Sequence, residues 1–225
     1  MGLAHGVNIV KDGLVFQVDP ANPRSYPGSG NNCFNLRNIT ITGSLKDDTT
    51  FNTDGGGTFE FDGTDDHIDF GRPSILNFTP QTNTFSVSAW FKTSQFGTIY
   101  SFGAPSGNAS TQIKITVRGD NYYPERVLGG TVTAGSTALN DSNWHNIVVT
   151  VPAASSGAIL YLDGASHVTG NIETATSSEN ALIGARTDGS GFEWVDKISN
   201  VKIYNKVLSA SEVKQNYNAM KARFR

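Results

Sequence analysis

Apolar and polar residues alternate with a period of two along most of the chain. The clearest run is 84–92, where Phe85, Val87, Ala89 and Phe91 share one face and Ser86, Ser88 and Trp90 the other. That alternation marks a β-strand. The stretch 58–71 repeats the rhythm twice: Phe59 and Phe61 flank Glu60, and Ile68 and Phe70 alternate with His67 and Asp69. Between the two halves, Asp62-Gly63 supplies tight-turn geometry. The whole reads as a hairpin with one apolar face, which needs a second sheet to cover it.

Other strands are predicted over 14–19, 98–102, 112–117, 127–133, 144–151, 158–163, 180–185 and 198–204, with a weaker alternation at Phe34, Leu36, Ile39 and Ile41. Prolines 20, 23 and 27 with Gly28 and Gly30 hold 21–32 in an extended arm, and 46–57 reads as loop. Turn signals recur at intervals of roughly 8 to 20 residues, which argues for a sandwich or barrel over a βαβ architecture. One helix closes the chain. Ser209 and Glu212 form a capping box, with Leu208 and Val213 placed as a hydrophobic staple. Val213, Tyr217, Met220 and Phe224 fall on one face, expected to pack across the edge or end of the sandwich. Lys221, Arg223 and Arg225 stand where the helix dipole favours positive charge.

Composition narrows the classes. A chain of 225 residues with 24 glycines, 10% aromatic and only 16% charged residues fits many short strands joined by turns. Net charge is −3 with no basic block, which argues against a nucleic-acid partner. No membrane-length apolar run and no secretory signal are visible, so a soluble protein is expected. A lone cysteine, Cys33, excludes an intrachain disulfide.

Four blocks together resemble the laminin-G-like, concanavalin A-like jelly rolls. Phe59 to Phe70 is similar to their F-x-F-D-G-x-D-D-Y-I signature, and Phe85 to Lys92 to their central W-F/W-K strand. Trp144 to Thr150 with Leu160 to Gly164 resembles W-H-x-V-V-V-T…Y-x-D-G, and Val201 to Ser209 resembles V-R-I-Y-N-R-A-L-S. The likeness implies an all-β fold: a two-sheet antiparallel jelly-roll sandwich of around a dozen strands with one C-terminal helix. The expected layout is one domain, 1–225, with an N-terminal strand and arm over 1–35 and the helix over 209–224. The leader 6–30 is similar to that of jelly-roll proteins from tailed phages, marine and cyanobacterial ones in particular. Cys33-Phe34-Asn35-Leu36 stands where those leaders run into Trp-Tyr-Asp-Leu.

Candidate chemistry is sparse. Glycoside hydrolysis needs two carboxylates roughly 5 to 10 Å apart across the sugar bond. Related glucanases carry E-x-D-x-x-E on one strand, whereas Glu193 and Asp196 are three apart and fall on opposite faces of a strand. The four histidines are scattered without metal-ligand spacing, and His145 is read as a strand residue with a satisfied ring. Asp62, Asp65 and Asp66 lie together in one turn and have the oxygen chemistry of a calcium site, the alternative being an Asx turn with solvated neighbours. Family members that bind calcium often add an Asp before the V-R-I-Y strand; here Ser199 and Asn200 occupy that place. For a sugar, Tyr122, Tyr123 and Arg126 in one loop and Trp194 in another are the candidate platforms.

The expectation is a non-enzymatic virion surface protein of a bacteriophage, decorating a capsid or attached to a tail, with weak glycan binding through its loops. It would be assembled in the host cytoplasm, with other virion proteins and a cell-surface glycan as partners, no nucleic acid or membrane, and self-association left open. No cofactor is required, calcium being the one candidate. A lectin or carbohydrate-binding adhesion module is the alternative, and a glycan depolymerase the third reading.

Overall fold

The computed structural model describes residues 8–78, 82–103, 112–117, 139–171, 180–186 and 193–225. Fourteen strands lie within them: β1 (Leu14–Val18), β2 (Asn32–Asn35), β3 (Asn38–Lys46), β4 (Thr50–Asn52), β5 (Thr58–Asp62), β6 (His67–Asp69), β7 (Phe85–Lys92), β8 (Gly97–Gly103), β9 (Gln112–Val117), β10 (His145–Val151), β11 (Ser156–Leu162), β12 (Ala165–Asn171), β13 (Leu182–Ile183) and β14 (Val195–Tyr204). Helix α1 follows, Ala210–Met220. One sheet runs β12-β11-β10-β7-β14-β5-β4, with β1 also on β14, and the other runs β2-β3-β6-β13-β8-β9. All pairings are antiparallel. This is the two-layer jelly roll expected.

The alternating residues fill the space between the sheets. Phe85, Val87, Ala89 and Phe91 of β7 join Ile147 and Val149 of β10 and Ile198, Val201 and Ile203 of β14 in one core cluster with Ile68 and Ile183. Each fully buried aromatic or branched side chain there contributes about 1.5–3 kcal/mol.

The run 58–71 is not a hairpin. β5 pairs with β4 and β14 in one sheet, whereas β6 pairs with β3 and β13 in the other. Phe59, Phe61, Ile68 and Phe70 still point into the same core, but from opposite walls. The acidic turn is therefore where the chain crosses between the layers. The predicted loop 46–57 also contains β4 and a 3₁₀ turn at Asp54–Gly56. The predicted strand 127–133 lies outside the described residues.

Helix α1 lies on the outer face of the larger sheet, not across an edge or end. Val148 of β10, Tyr161 of β11 and Tyr204 of β14 face away from the inter-sheet core and pack with Leu208 and Val213. Trp90 of β7 stacks on Tyr217 (centroids 5.5 Å apart, 12°) and on Phe224 (4.4 Å, 16°). The capping box is present: Ser209 accepts from the Glu212 N–H, and Glu212 accepts from the Ser209 N–H. Arg223 does not sit free at the dipole. It reaches under the sheet edge to Asp19 (2.7 Å), the Gly57 carbonyl (2.7 Å) and Ser199 (2.8 Å). A register shift between Ser199 and Lys202 aims Ser199 and Asn200 at this network.

Candidate functional site

The acidic turn is held by its own backbone. Gly63 takes φ +84°, a left-handed value that a side chain would strain, and the Thr64 N–H donates to Asp62 Oδ1 at 2.7 Å. The Asp62 N–H donates to Asp66 Oδ2 at 2.8 Å, and His67 Nδ1 lies 2.7 Å from the Asp65 carbonyl. These bonds bring one carboxylate oxygen from each of Asp62, Asp65 and Asp66 within 4.8 Å of one another.

Asp62 and Asp65 are exposed, but Asp66 is 1% exposed. Its second oxygen, Oδ1, has no hydrogen-bond partner among the described residues. An Asx turn accounts for Asp62 Oδ1 and not for this orphan, and a buried unpaired carboxylate oxygen is costly. Burial raises Asp66 above the usual carboxylate range, reinforced by Asp62 and Asp65 and opposed by backbone N–H groups of Asp62 and Asp48. Asp65 is raised too, by desolvation and by Asp47, Asp62 and Asp48, with His67 opposing. Three oxygens, an excess of negative charge and an unsatisfied acceptor fit a hard divalent cation such as calcium. Ser199 and Asn200 are directed at the Asp19–Arg223 network instead of the turn: the Ser199 hydroxyl accepts from Arg223, and the Asn200 amide donates to Asp19. Asp196 Oδ1 is 3.3 Å from Lys197 Nζ, which also meets Asp54 and Glu60.

Beside the turn opens a cleft of about 310 Å³, lined among others by Asp47, Thr64, Asp65, His67, Arg186 and Glu193. Its residues come from the acidic turn, from β6 and β13 of the smaller sheet, and from the segments that follow β3 and β13 and precede β14. Asp47, Arg186 and Glu193 were not identifiable as neighbours of Asp65 from sequence, since no local motif links them.

Trp194, expected as a sugar platform, is fully buried. It meets Phe91 edge to face (5.5 Å, 90°), and the Trp194 backbone N–H donates to the Gly184 carbonyl at 2.7 Å. A stacking surface needs an open face, and this ring has none. Tyr122, Tyr123 and Arg126 lie outside the described residues. His145 is satisfied as expected: Nδ1 is 3.0 Å from Asp163 Oδ2 and Nε2 is 3.2 Å from Asp141 Oδ1. Burial pulls its pKa down, but Asp163 and Asp141 outweigh that and raise it above the ordinary value.

Residues 62–214 match the family described as the concanavalin A-like lectin/glucanases superfamily, of laminin G type. No curated protein sequence matches the chain significantly. Among solved structures, the binding domain of paraclostridial mosquitocidal protein 1 is similar with a TM-score of 0.66 at 13% identity, over 92% of this chain and 52% of that one. Trypanosoma rangeli sialidase in complex with sialic acid gives 0.67 at 15%, over 94% and 33%. The botulinum neurotoxin serotype G binding domain gives 0.64 at 15%, over 91% and 50%. The chain thus spans about a third to a half of these proteins, and at such identities the likeness is one of fold. With the family match covering more than half of the chain and the two stacked antiparallel sheets that the match requires, the chain belongs to the concanavalin A-like lectin/glucanases superfamily.

Proposed function

We propose that the chain is a non-enzymatic glycan-binding module carried on the surface of a phage particle, with calcium held by its acidic turn. The observation that carries the binding role is the buried, unpartnered Asp66 oxygen in a turn that joins the two sheets at the rim of a cleft. A cation there would cross-brace the two layers through Asp62, Asp65 and Asp66 and offer its remaining coordination positions toward the cleft. Loop rims on a rigid sandwich suit ligand recognition, since the scaffold fixes geometry while the loops vary. The particle location is supported by the likeness of the leader 6–30 to tailed-phage jelly rolls. Other virion proteins and a cell-surface glycan are the partners of this reading.

Binding without bond cleavage is tested by incubating the pure chain with a panel of bacterial polysaccharides while following retention and reducing-end release together. Retention without new reducing ends is expected. Glu193 and Asp65 line the same cleft, so release that disappears in Glu193→Gln would replace the module with a depolymerase. Mass spectrometry of purified particles should find the chain in them, and its absence would remove the virion assignment.

A further inference from the structure

A second cleft, of about 400 Å³, opens on the outer face of the larger sheet, at the C-terminal end of β7 and the entry to β10. Asp54, Lys92, Ser142, Asn143, Trp144 and Arg225 are among its lining residues. Trp90 and Trp194 are 2% and 0% exposed, whereas Trp144 is half-buried and keeps part of its ring open. That ring leans on Phe224 (4.8 Å, 51°), which stacks in turn on Trp90, so the platform is fixed from below.

The polar groups around it are positioned as well. Asp141 accepts from both the backbone N–H (2.8 Å) and the side-chain amide (2.9 Å) of Asn143, leaving the Asn143 carboxamide oxygen to accept. Ser142, at φ +63°, donates its N–H to the Thr93 carbonyl at 2.9 Å. The one carboxylate side chain of the lining, Asp54, is bound to Lys197 at 3.2 Å. Lys92 and Arg225 form no ion pair among the described residues, so neither cation is held by a protein carboxylate in the cleft. An aromatic face takes the C–H face of a sugar ring, and paired cations recognise a planar or tetrahedral anion by charge-assisted hydrogen bonds.

We infer that this cleft binds an acidic sugar, carboxylated or sulfated, with its ring on Trp144 and its anionic group met by Lys92 and Arg225. It is separate from the acidic-turn cleft, whose Asp47, Asp65 and Glu193 would repel such a ligand, and it does not rest on calcium.

The test is a titration of chain labelled with ¹⁵N at the tryptophan indoles. The probes are trigalacturonate for the carboxylate, a chondroitin 6-sulfate disaccharide for the sulfate, and cellotriose as the neutral control. The Trp144 signal should move and saturate with at least one acidic probe, with Trp90 and Trp194 unmoved as an internal check of folding. Lys92→Ala or Lys92→Gln should weaken binding about fivefold, the scale of a partly exposed charge pair. Chelation and Asp66→Asn should change nothing. Equal binding of cellotriose, indifference to both Lys92 variants, or a silent Trp144 with all three probes would each overturn the assignment, whatever the outcome at the acidic turn.

Discussion

Replacing Arg223 by Ala should cost more than any other single change at the C-terminus. The guanidinium ties three distant parts of the chain together: Asp19 after β1, the Gly55 and Gly57 carbonyls, and Ser199 at the β14 bulge. The ion pair is largely dry, with Asp19 and Arg223 side chains 13% and 18% exposed. Removing one partner of a buried pair leaves the other charge unpaired, typically costing about 3–5 kcal/mol. Here a neighbour softens the loss. Lys202, 1% exposed, makes no ion pair among the described residues, yet it feels both Asp19 and Arg223. Burial chiefly, with Arg223 adding to it and Asp19 opposing, pushes its pKa down to about 8. Without Arg223, Lys202 becomes the nearest counter-charge for Asp19, so the expected cost falls to about 2–4 kcal/mol. For a chain of this size that is a fall in Tm of roughly 4–16 °C. Urea unfolding of wild type, Arg223→Ala, Asp19→Asn and the double variant gives both the cost and the coupling. A loss under about 1 kcal/mol, or strict additivity of the two single changes, would refute the network as drawn.

Four further outcomes follow from the same geometry. Lys202 binds fewer protons folded than unfolded between pH 8 and 10.5, so stability should rise with pH across that window by roughly 3 kcal/mol at most, and Lys202→Met should abolish the rise. His145 has the opposite sign: its raised pKa makes its contribution complete below about pH 6.5 and lost as pH climbs through the folded value, a dependence that should vanish in His145→Gln during urea titrations. Calcium at a hundredfold excess over its Kd should stabilise the chain by about 2.7 kcal/mol, seen as a Tm rise that Asp66→Asn eliminates. Gly184→Ala should cost about 2–4 kcal/mol by chemical denaturation, because φ is +90° and a Cβ would sit 2.5 Å from the Phe61 ring.

The two-sheet architecture was legible because alternation reports which residues face the core, most plainly in the sequence of β7; β10 and β14 are buried on both faces, and β14 carries a register shift, so their pattern is less regular. Alternation does not report which strand lies alongside. Phe59 and Ile68 look like hairpin partners in sequence but belong to opposite walls of one core. β12 escaped notice because it is an outer strand with most residues partly or wholly exposed, and β4 because only Phe51 of its three residues is apolar. The capping box and staple were readable since every partner lies within a few residues. Arg223 was not, because its counter-charge is Asp19, more than two hundred positions away. At the candidate site, the three aspartates were visible as a local motif, whereas Glu193 and Arg186 reach the same cleft only through folding. Trp194 misled for a simple reason: an isolated aromatic beside glycines looks like a loop platform until packing against Phe91 is seen.

The claim at the centre is that the turn joining the two layers holds calcium and thereby shapes a sugar-binding rim. Calorimetric titration of the purified, metal-free chain with calcium measures that directly. One ion per chain in wild type, and none in Asp66→Asn, is the predicted result; no binding heat in the wild-type protein, or an identical isotherm in the variant, would contradict it.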